Sequence, residues 1–425
     1  MTVVAGGRAP ARPQLIRAMN EQLLLDHIRR SGKLSRAELA RTSHLSKPTV
    51  SLALTNLERA GLVRTSGVRT DSPGPAALLY EVHPEAGYVL ALDIGALFLR
   101  GAISDVSGRI RAKDSIETQA VDGHGRVAEL IQLADRLCAQ LPIGIGDITQ
   151  TVLGSPGVYD PRRDALGLAG SLPGWDKPVV LVELREAFGA SLMLENDIDA
   201  AALAEQVHGH GRGIDNFAFV SVGTGIGMGL VLGGQLHRGA HGAAGEIGYL
   251  PLGSGHLSDA RDARKRGALE ASASAAGIVR AARRAGIRGV TSARQVFAAA
   301  DAGDERASRV VADEAVLVAK AMCSIMGVAD PELIVLGGGI GQAAGFLDAV
   351  EREVRRRAPI PPELRVSALG ADAVVDGCLA AGVDRDWGVL TATVAKAAAD
   401  ASDESAAGLR WSCSLAASRV CGRGA

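Results

Sequence analysis

Aromatic residues make up only 3% of this 425-residue sequence, with six Phe, four Tyr and three Trp. A core must therefore be assembled from Ala, Val, Leu and Ile, and the 47% hydrophobic share with 53 Gly fits an ordinary soluble α/β composition. Missing as well is any apolar run of the roughly 18 residues that a membrane span requires, which argues against a membrane partner. The start, MTVVAGGRAPARPQ, has no apolar stretch of the secretory kind. Residues 1–13 are thus expected to be a mobile basic arm and the protein cytoplasmic. The five cysteines, Cys138, Cys323, Cys378, Cys413 and Cys421, are scattered and form no CxxC pair, so reduced thiols and no metal cluster are expected. At 425 residues the chain exceeds the length of one usual core, and two or three domains are expected.

The formal net charge of −1 conceals an asymmetry. Residues 1–75 contain 12 Arg or Lys against five acids, a formal +7, and the remaining 350 residues carry −8. A basic module on an acidic body is the electrostatic footprint of a DNA-binding domain joined to a domain with another task. The helical signals agree. An apolar face runs from Gln22 to Arg30, Ser35 stands three residues before Glu38 as a capping box, and Ser46 can cap a third helix. In that helix Val50, Leu54 and Leu57 share the core-facing side, leaving Lys47, Pro48, Thr49, Ser51 and Thr55 outward for the DNA major groove. Their hydroxyls can contact bases or phosphates. Residues 62–65 and 77–82 read as short strands around a Gly, Pro and Asp turn, a wing with Arg69 near its tip as a further DNA contact. A solvated basic face or a protein-docking module remains an alternative for this segment.

From Tyr88 the texture changes to alternating strands and helices. Strands are expected at 89–95, 99–105, 151–153, 192–194, 217–222, 228–232 and 333–336, with a helix at about 126–141. Two such αβ lobes around a cleft place ligand groups where strands end. Residues 399–425, rich in Ala, Ser and Gly, read as a disordered tail.

Seven motifs follow in order: Leu92-Asp93-Ile94-Gly95, Gly154-Ser155-Pro156-Gly157, Leu172-Pro173-Gly174-Trp175, Glu195-Asn196-Asp197, Gly223-Thr224-Gly225-Ile226-Gly227, Ala244-Gly245-Glu246-Ile247-Gly248 and Gly337-Gly338-Gly339. Together they make the sequence, from about Pro13 to Lys396, resemble the ROK family of repressors, open reading frames and sugar kinases. The resemblance implies an α/β protein with an N-terminal winged helix-turn-helix over 14–84. A two-lobed actin-like (RNase H-like) domain follows over 85–398, with lobe one at about 85–200 plus 373–398 and lobe two at about 201–372.

It also implies roles. The acid matching Asp197 is the general base of the kinase members, and Asn196, Glu246, Tyr249 and Glu270 match sugar-contacting positions. Amides and carboxylates suit that task because they bridge vicinal hydroxyls, and an unpaired buried group penalises the wrong epimer. Asp197 can also N-cap a helix over 198–207. Nucleotide-binding positions survive as vestiges at Asp93, Gly95, Gly223, Thr224, Gly225, Gly337 and Gly338, although glycines there also permit close packing. The kinases read Asp-Ile-Gly-Gly-Thr-Lys at the first phosphate loop, whereas here Asp93-Ile94-Gly95 is followed by Ala96-Leu97-Phe98. That change removes a bare backbone and a hydroxyl, so no kinase activity and no cofactor are expected.

Many family members place a zinc-binding His and three Cys where this chain has Tyr249, Arg261, Ala263 and Ala268, so no metal is expected. Packing or ion pairs among Asp259, Arg261, Asp262 and Lys265 are expected to stiffen that loop instead. Ser171 replaces a common Asn and leaves the sugar open. His208, His210, His237 and His241 are expected to be solvated loop residues.

The reading that unites these signals is a cytoplasmic transcriptional regulator, a repressor of carbohydrate metabolism of the xylose or glucose kind. Its partners would be a double-stranded DNA operator and a sugar or sugar phosphate effector, and its state a homodimer or homotetramer. Effector binding would alter lobe closure and so the spacing of two recognition helices. An active sugar kinase with an accessory DNA domain and a sugar-independent DNA-binding dimer stay open.

Overall fold

The computed structural model describes residues 13–69, 76–95, 97–169, 172–253, 255–385 and 387–388. The arm over 1–12, the centre of the expected wing turn, Ala96, Ser171, Cys413, Cys421 and the tail over 399–425 lie outside the described residues. The chain divides into two compact units. One comprises residues 1–88, 105–109 and 383–425, the other residues 89–104 and 110–382.

The first unit opens with helix α1 (Pro13–Ser31), strand β1 (Leu34–Ser35), α2 (Arg36–Ser43) and α3 (Lys47–Arg59), and continues with β2 (Val63–Arg69) and β3 (Ala77–Val82). The expected capping box is present, with Ser35 accepting from the Glu38 amide and Glu38 accepting from Ser35. Ser46 caps α3 by accepting from the Thr49 amide, and Pro48 occupies the first turn, where its missing N–H costs nothing. The strands form a three-stranded antiparallel sheet in the order β1-β3-β2. Val50, Leu54 and Leu57 are buried as the helical spacing requires, against Leu24, Leu25, Ile28, Leu39 and Tyr80. Two contributors to this core come from far along the chain, Val106 and Trp387. Trp387 donates its indole N–H to Asp26 at 2.9 Å, and Arg29 stacks over its ring at 5.0 Å.

The second unit contains two five-stranded sheets that repeat one topology. In the first, β4 (Tyr88–Ile94), β5 (Phe98–Asp105) and β6 (Ile110–Glu117) lead through α4 (Gly123–Cys138) to β7 (Ile148–Ser155). The short strands β8 (Val158–Asp160) and β9 (Ala165–Gly167) pair with each other, and α5 (Pro178–Phe188) leads on to β10 (Leu192–Asn196). The sheet order is β10-β7-β4-β5-β6, with β10 parallel to β7 and β5 antiparallel to β6.

Helix α6 (Asp197–His208) then enters the second sheet, built from β11 (Phe217–Val222), β12 (Ile226–Leu232) and β13 (Gln235–Leu236). Helices α7 (Leu257–Arg266), α8 (Ala268–Ala273), α9 (Ala275–Arg284), α10 (Ala293–Asp301) and α11 (Glu305–Ala329) follow. Strand β14 (Leu333–Gly337), helices α12 (Gly338–Gly341) and α13 (Phe346–Arg357), and β15 (Glu363–Val366) complete it. Its order, β13-β12-β11-β14-β15, repeats that of the first sheet, with three consecutive strands on one side and two later strands, paired in parallel, on the other. A last helix runs over residues 373–385. Every expected strand of this unit is present, each reaching at least to its expected residues except 89–95, which ends at Ile94. The expected helix at 126–141 begins three residues earlier, because Asp122 caps it by accepting from the Gly125 amide.

Leu54 is fully buried beneath α1, α2 and the sheet. Leu54→Ala is expected to cost the first unit roughly 2–5 kcal/mol. Calorimetry of the full chain should show its transition displaced downward, and an unchanged profile contradicts the packing.

Candidate functional site

Duplicated topology decides where chemistry accumulates, because ligands in open α/β sheets bind beyond the carboxyl ends of the strands. Asp93 lies at the end of β4 and Asn196 at the end of β10, followed at once by Asp197. In the other sheet β11 ends at Val222, just before Gly223, and β14 ends at Gly337, just before Gly338. The acids at these ends sense one another. Burial pushes the Asp93 carboxyl up to about 7, reinforced by the neighbouring Asp197 charge and opposed by Arg100, whose Nη1 lies 3.4 Å from Asp93 Oδ2. Burial raises Asp197 to about 6. Glu246 rises to about 7, through burial and then through Asp197 and Glu270. Asp93, Asp197, Glu246 and Glu270 thus form one acid cluster. Tyr249, 46% exposed, stands beside Glu246 and Glu270, and its phenol is raised by burial and by those two acids.

Three of these positions are held by specific local geometry. Gly245, with φ of +93°, precedes Glu246, and a Cβ there would come within 1.9 Å of the Met228 carbonyl. Only glycine can carry the chain past β12 at this point. Glu270 Oε2 accepts from the Ile226 amide at 3.3 Å, and a Cβ on Gly225 would meet that same oxygen at 2.8 Å. Asn196, rather than Asp197, is the cap of α6. Its Oδ1 accepts from the amides of Ile198 and Asp199 at 2.9 and 3.1 Å, while Nδ2 donates to the Gly157 carbonyl at 2.9 Å. An extended Asn196 backbone followed by helical residues makes it the capping position, and Asp197 becomes the first helical residue. Asp197 Oδ1 adds a bond from the Ile198 amide at 2.9 Å.

On the nucleotide side the glycines divide in two. A Cβ at Gly337 would strike the Phe219 ring at 2.3 Å, and one at Gly338 would strike the Val222 carbonyl at 2.3 Å. Packing alone therefore demands those two. Gly223 is different, since a Cβ there would meet the Gly339 nitrogen at 3.6 Å and the Gly338 Cα at 3.9 Å, both ordinary contacts. Thr224 follows it in the turn between β11 and β12, where the Gly223 amide donates to the Gly225 carbonyl at 2.8 Å. At the first loop the Gly95 amide donates to the Phe98 carbonyl at 3.1 Å, and the Gly95 carbonyl accepts from Arg126 at 2.7 Å. Leu97 is 69% exposed beside this closed turn.

Charge partners that sequence reasoning missed complete the site. Arg238, just after β13, grips Glu195 at the end of β10 with both Nε, at 3.2 Å, and Nη2. Asp199 is buried nearby with Oδ1 unpaired, and its carboxyl is pushed up to about 8 by burial and by Glu195. Arg238 lies in the irregular segment HRGAHG, where no periodicity points to a partner. Arg100 was more accessible, because a hairpin between adjacent strands brings its position back beside Asp93. Trp175, fully buried, donates its indole N–H to Ser155 Oγ at 2.7 Å and so joins two of the glycine-bearing motifs.

The α7 loop is stiffened by ion pairs, but not by the expected ones. Asp259 pairs with Arg280 at 2.9 Å and Arg284 at 3.3 Å, and Asp262 with Arg280 at 3.1 Å. The cations that hold Asp259 come from α9 because Asp259 is buried, whereas Arg261 and Lys265 are exposed. Among the predicted loop histidines, His237 and His241 are exposed in turns, while His208 closes α6 and His210 is half-buried.

A two-lobed, duplicated αβ fold with acids and glycine turns at its strand ends defines the actin-like sugar-kinase class. Residues 89–380 match the ROK family, and residues 20–73 match the MarR family. The chain belongs to the ROK family. It is 41% identical over 192 residues to the bifunctional enzyme NanE/NanK of Brucella suis, an alignment that spans 45% of this chain but only 34% of that protein. It is 27% identical to a putative xylose repressor of Caldicellulosiruptor over 86% of this chain and 96% of the relative. Among solved structures, a ROK hexokinase from Thermus thermophilus is 32% identical with a TM-score of 0.60, covering 70% of this chain and 98% of its own. A ROK family transcriptional regulator homologous to the E. coli MLC protein has a TM-score of 0.70 at 23% identity, covering 90% and 100%.

Carboxyls raised in the folded chain retain protons that the unfolded chain has released, so stability declines as pH climbs from the unfolded values near 4 through the folded values near 7. Melting temperatures should therefore fall from about pH 5 to about pH 8, and Asp93→Asn should flatten the fall. A wild-type profile that rises across this window contradicts the cluster.

Proposed function

We propose that this chain is a DNA-binding transcriptional repressor whose operator affinity answers to a sugar or sugar phosphate held at the acid cluster, without phosphorylating it. The observation that carries the reading is the pairing of a sugar-type acid cluster with a first loop closed on itself. The Gly95 amide is already spent on Phe98, and the exposed Leu97 stands where the kinases have a hydroxyl. Phosphoryl transfer depends on positioning and charge stabilisation, so a lost cradle removes most of its rate. A relative that aligns over 86% of this chain and 96% of its own length is described as a putative xylose repressor, which supports a regulator of carbohydrate use.

The site assignments follow from this reading. Asp197, Glu246, Glu270 and Tyr249 bind ligand hydroxyls, and Asn196 offers its remaining amide hydrogen. Lys47, Pro48, Thr49, Ser51 and Thr55 face DNA from α3. Arg69 has a competing partner, since its Nη1 lies 2.5 Å from Glu38 Oε1, and it must leave that carboxylate to reach a phosphate. The active form is a homodimer or homotetramer reading a two-fold site. Effector and operator then bias each other's binding by the same factor.

A second reading, an active kinase, is favoured by one observation. Asp197 is retained with its carboxyl near 6, suited to a general base.

Three measurements test these assignments. Titration calorimetry against neutral sugars and sugar phosphates should find a ligand whose affinity falls at least about ten-fold in Asp197→Ala, the loss of one buried hydrogen bond to a charged group. Coupled ADP release with magnesium, ATP and the same sugars should stay at background, and robust turnover establishes the kinase reading. On the DNA side, Lys47→Ala should weaken operator binding and lower its salt dependence, through one fewer released counterion. A salt-independent complex contradicts operator binding.

A further inference from the structure

The outward face of α3 is poorer in polar groups than its sequence suggests. Thr49 Oγ1 lies 2.8 Å from Ser46 Oγ at the helix cap. Thr55 Oγ1 donates to the Ser51 carbonyl at 3.0 Å. Asn56, the one amide side chain of this helix, donates to Glu21 Oε1 at 2.6 Å. Arg, Lys, Asn and Gln are the side chains that read bases through paired hydrogen bonds. In the first two turns of α3 Lys47 is the one such group, and the hydroxyls at 49 and 55 are engaged within the protein.

What the face offers instead is apolar. Leu52 is 51% exposed, and it stands four residues after Pro48 and three before Thr55. That spacing lines the three up on one side of a helix. Thr55, its hydroxyl turned onto the backbone, contributes its methyl. A lone exposed leucine is ordinary on a protein surface. Leu52 differs because it sits at the centre of a basic module's recognition helix, flanked by Lys47 at the N-terminal end and Arg59 at the other.

In the major groove the one apolar feature of a base edge is the thymine C5-methyl group. We propose that α3 reads thymine methyls through the Pro48, Leu52 and Thr55 stripe, with Leu52 the specificity-determining residue. Lys47 and Ser51 supply the polar contacts that fix the helix in the groove. The inference rests on the operator-binding reading above, and it names the chemistry of the half-site, which contains thymine at the positions facing this stripe.

The experiment uses the full-length chain and a pool of random-sequence DNA duplexes. Wild type and Leu52→Ala each select bound duplexes, whose sequences are read. The wild-type site is then remade with deoxyuridine replacing each thymidine in turn, which deletes the methyl and nothing else. Burying one methyl is worth about as much as one methylene, so uracil should weaken wild-type binding about four-fold at one or two positions per half-site. In Leu52→Ala that penalty should vanish at the position Leu52 covers, and selection there should relax. Circular dichroism checks that this exposed substitution leaves the fold unchanged. A wild-type site indifferent to uracil throughout overturns the proposal, as does a Leu52→Ala chain with the same selected site and the same penalties. A wild-type chain that enriches no duplex overturns the operator reading itself, and the stripe with it.

Discussion

Burial of carboxyls at the strand ends, reinforced by their mutual repulsion, is the constraint on which this part of the second unit turns. Asp93, Asp197 and Glu246 lie within electrostatic reach of one another. Bare anions so arranged are costly in a half-buried setting. The protein meets the cost by retaining protons and by placing Arg100 against Asp93. Hydroxyl-rich ligands suit such a place, since a protonated carboxyl donates while its ionised neighbour accepts. The glycine turns beside these acids, at Gly95, Gly223 and Gly337-Gly338, answer to different demands.

Those loops show why a glycine motif is weak evidence for a nucleotide. Gly337 and Gly338 would be kept for packing against Phe219 and Val222 in any descendant of this fold, whatever it binds. Gly223 has no such neighbour, and its retention is the more informative. Gly95 illustrates the opposite outcome, a glycine retained while its amide is turned to a hairpin bond.

Much of the fold was legible because its signals are local. The Ser35–Glu38 capping box, the Ser46 cap, the i, i+4, i+7 burial of Val50, Leu54 and Leu57, and the strand runs of both sheets each depend on a few adjacent residues. The acid cluster was legible through ordered motifs. What escaped was long-range. Arg238 and Glu195 meet across 43 positions, Trp387 reaches Asp26 across 361, and the cations that hold Asp259 come from the next helix but one. No periodicity carries that information, because partner choice is settled by how elements pack. The capping error at Asn196 and Asp197 has a different origin. Both residues can cap, and only the backbone at 196 decides which does.

The run Glu195-Asn196-Asp197 compresses three mechanical duties into successive residues. Glu195 is clasped by the fork of Arg238, Asn196 opens α6 and tethers the Gly157 turn, and Asp197 accepts from the Ile198 amide in the first turn of that helix. A fork occupies both oxygens of its carboxylate, so Glu195 is a rivet between the two sheets rather than a ligand. Shortening it by one methylene, to aspartate, would force a choice between drawing the sheets together and opening the joint. The length of that single side chain thus sets how closely the end of β10 is held to the segment after β13.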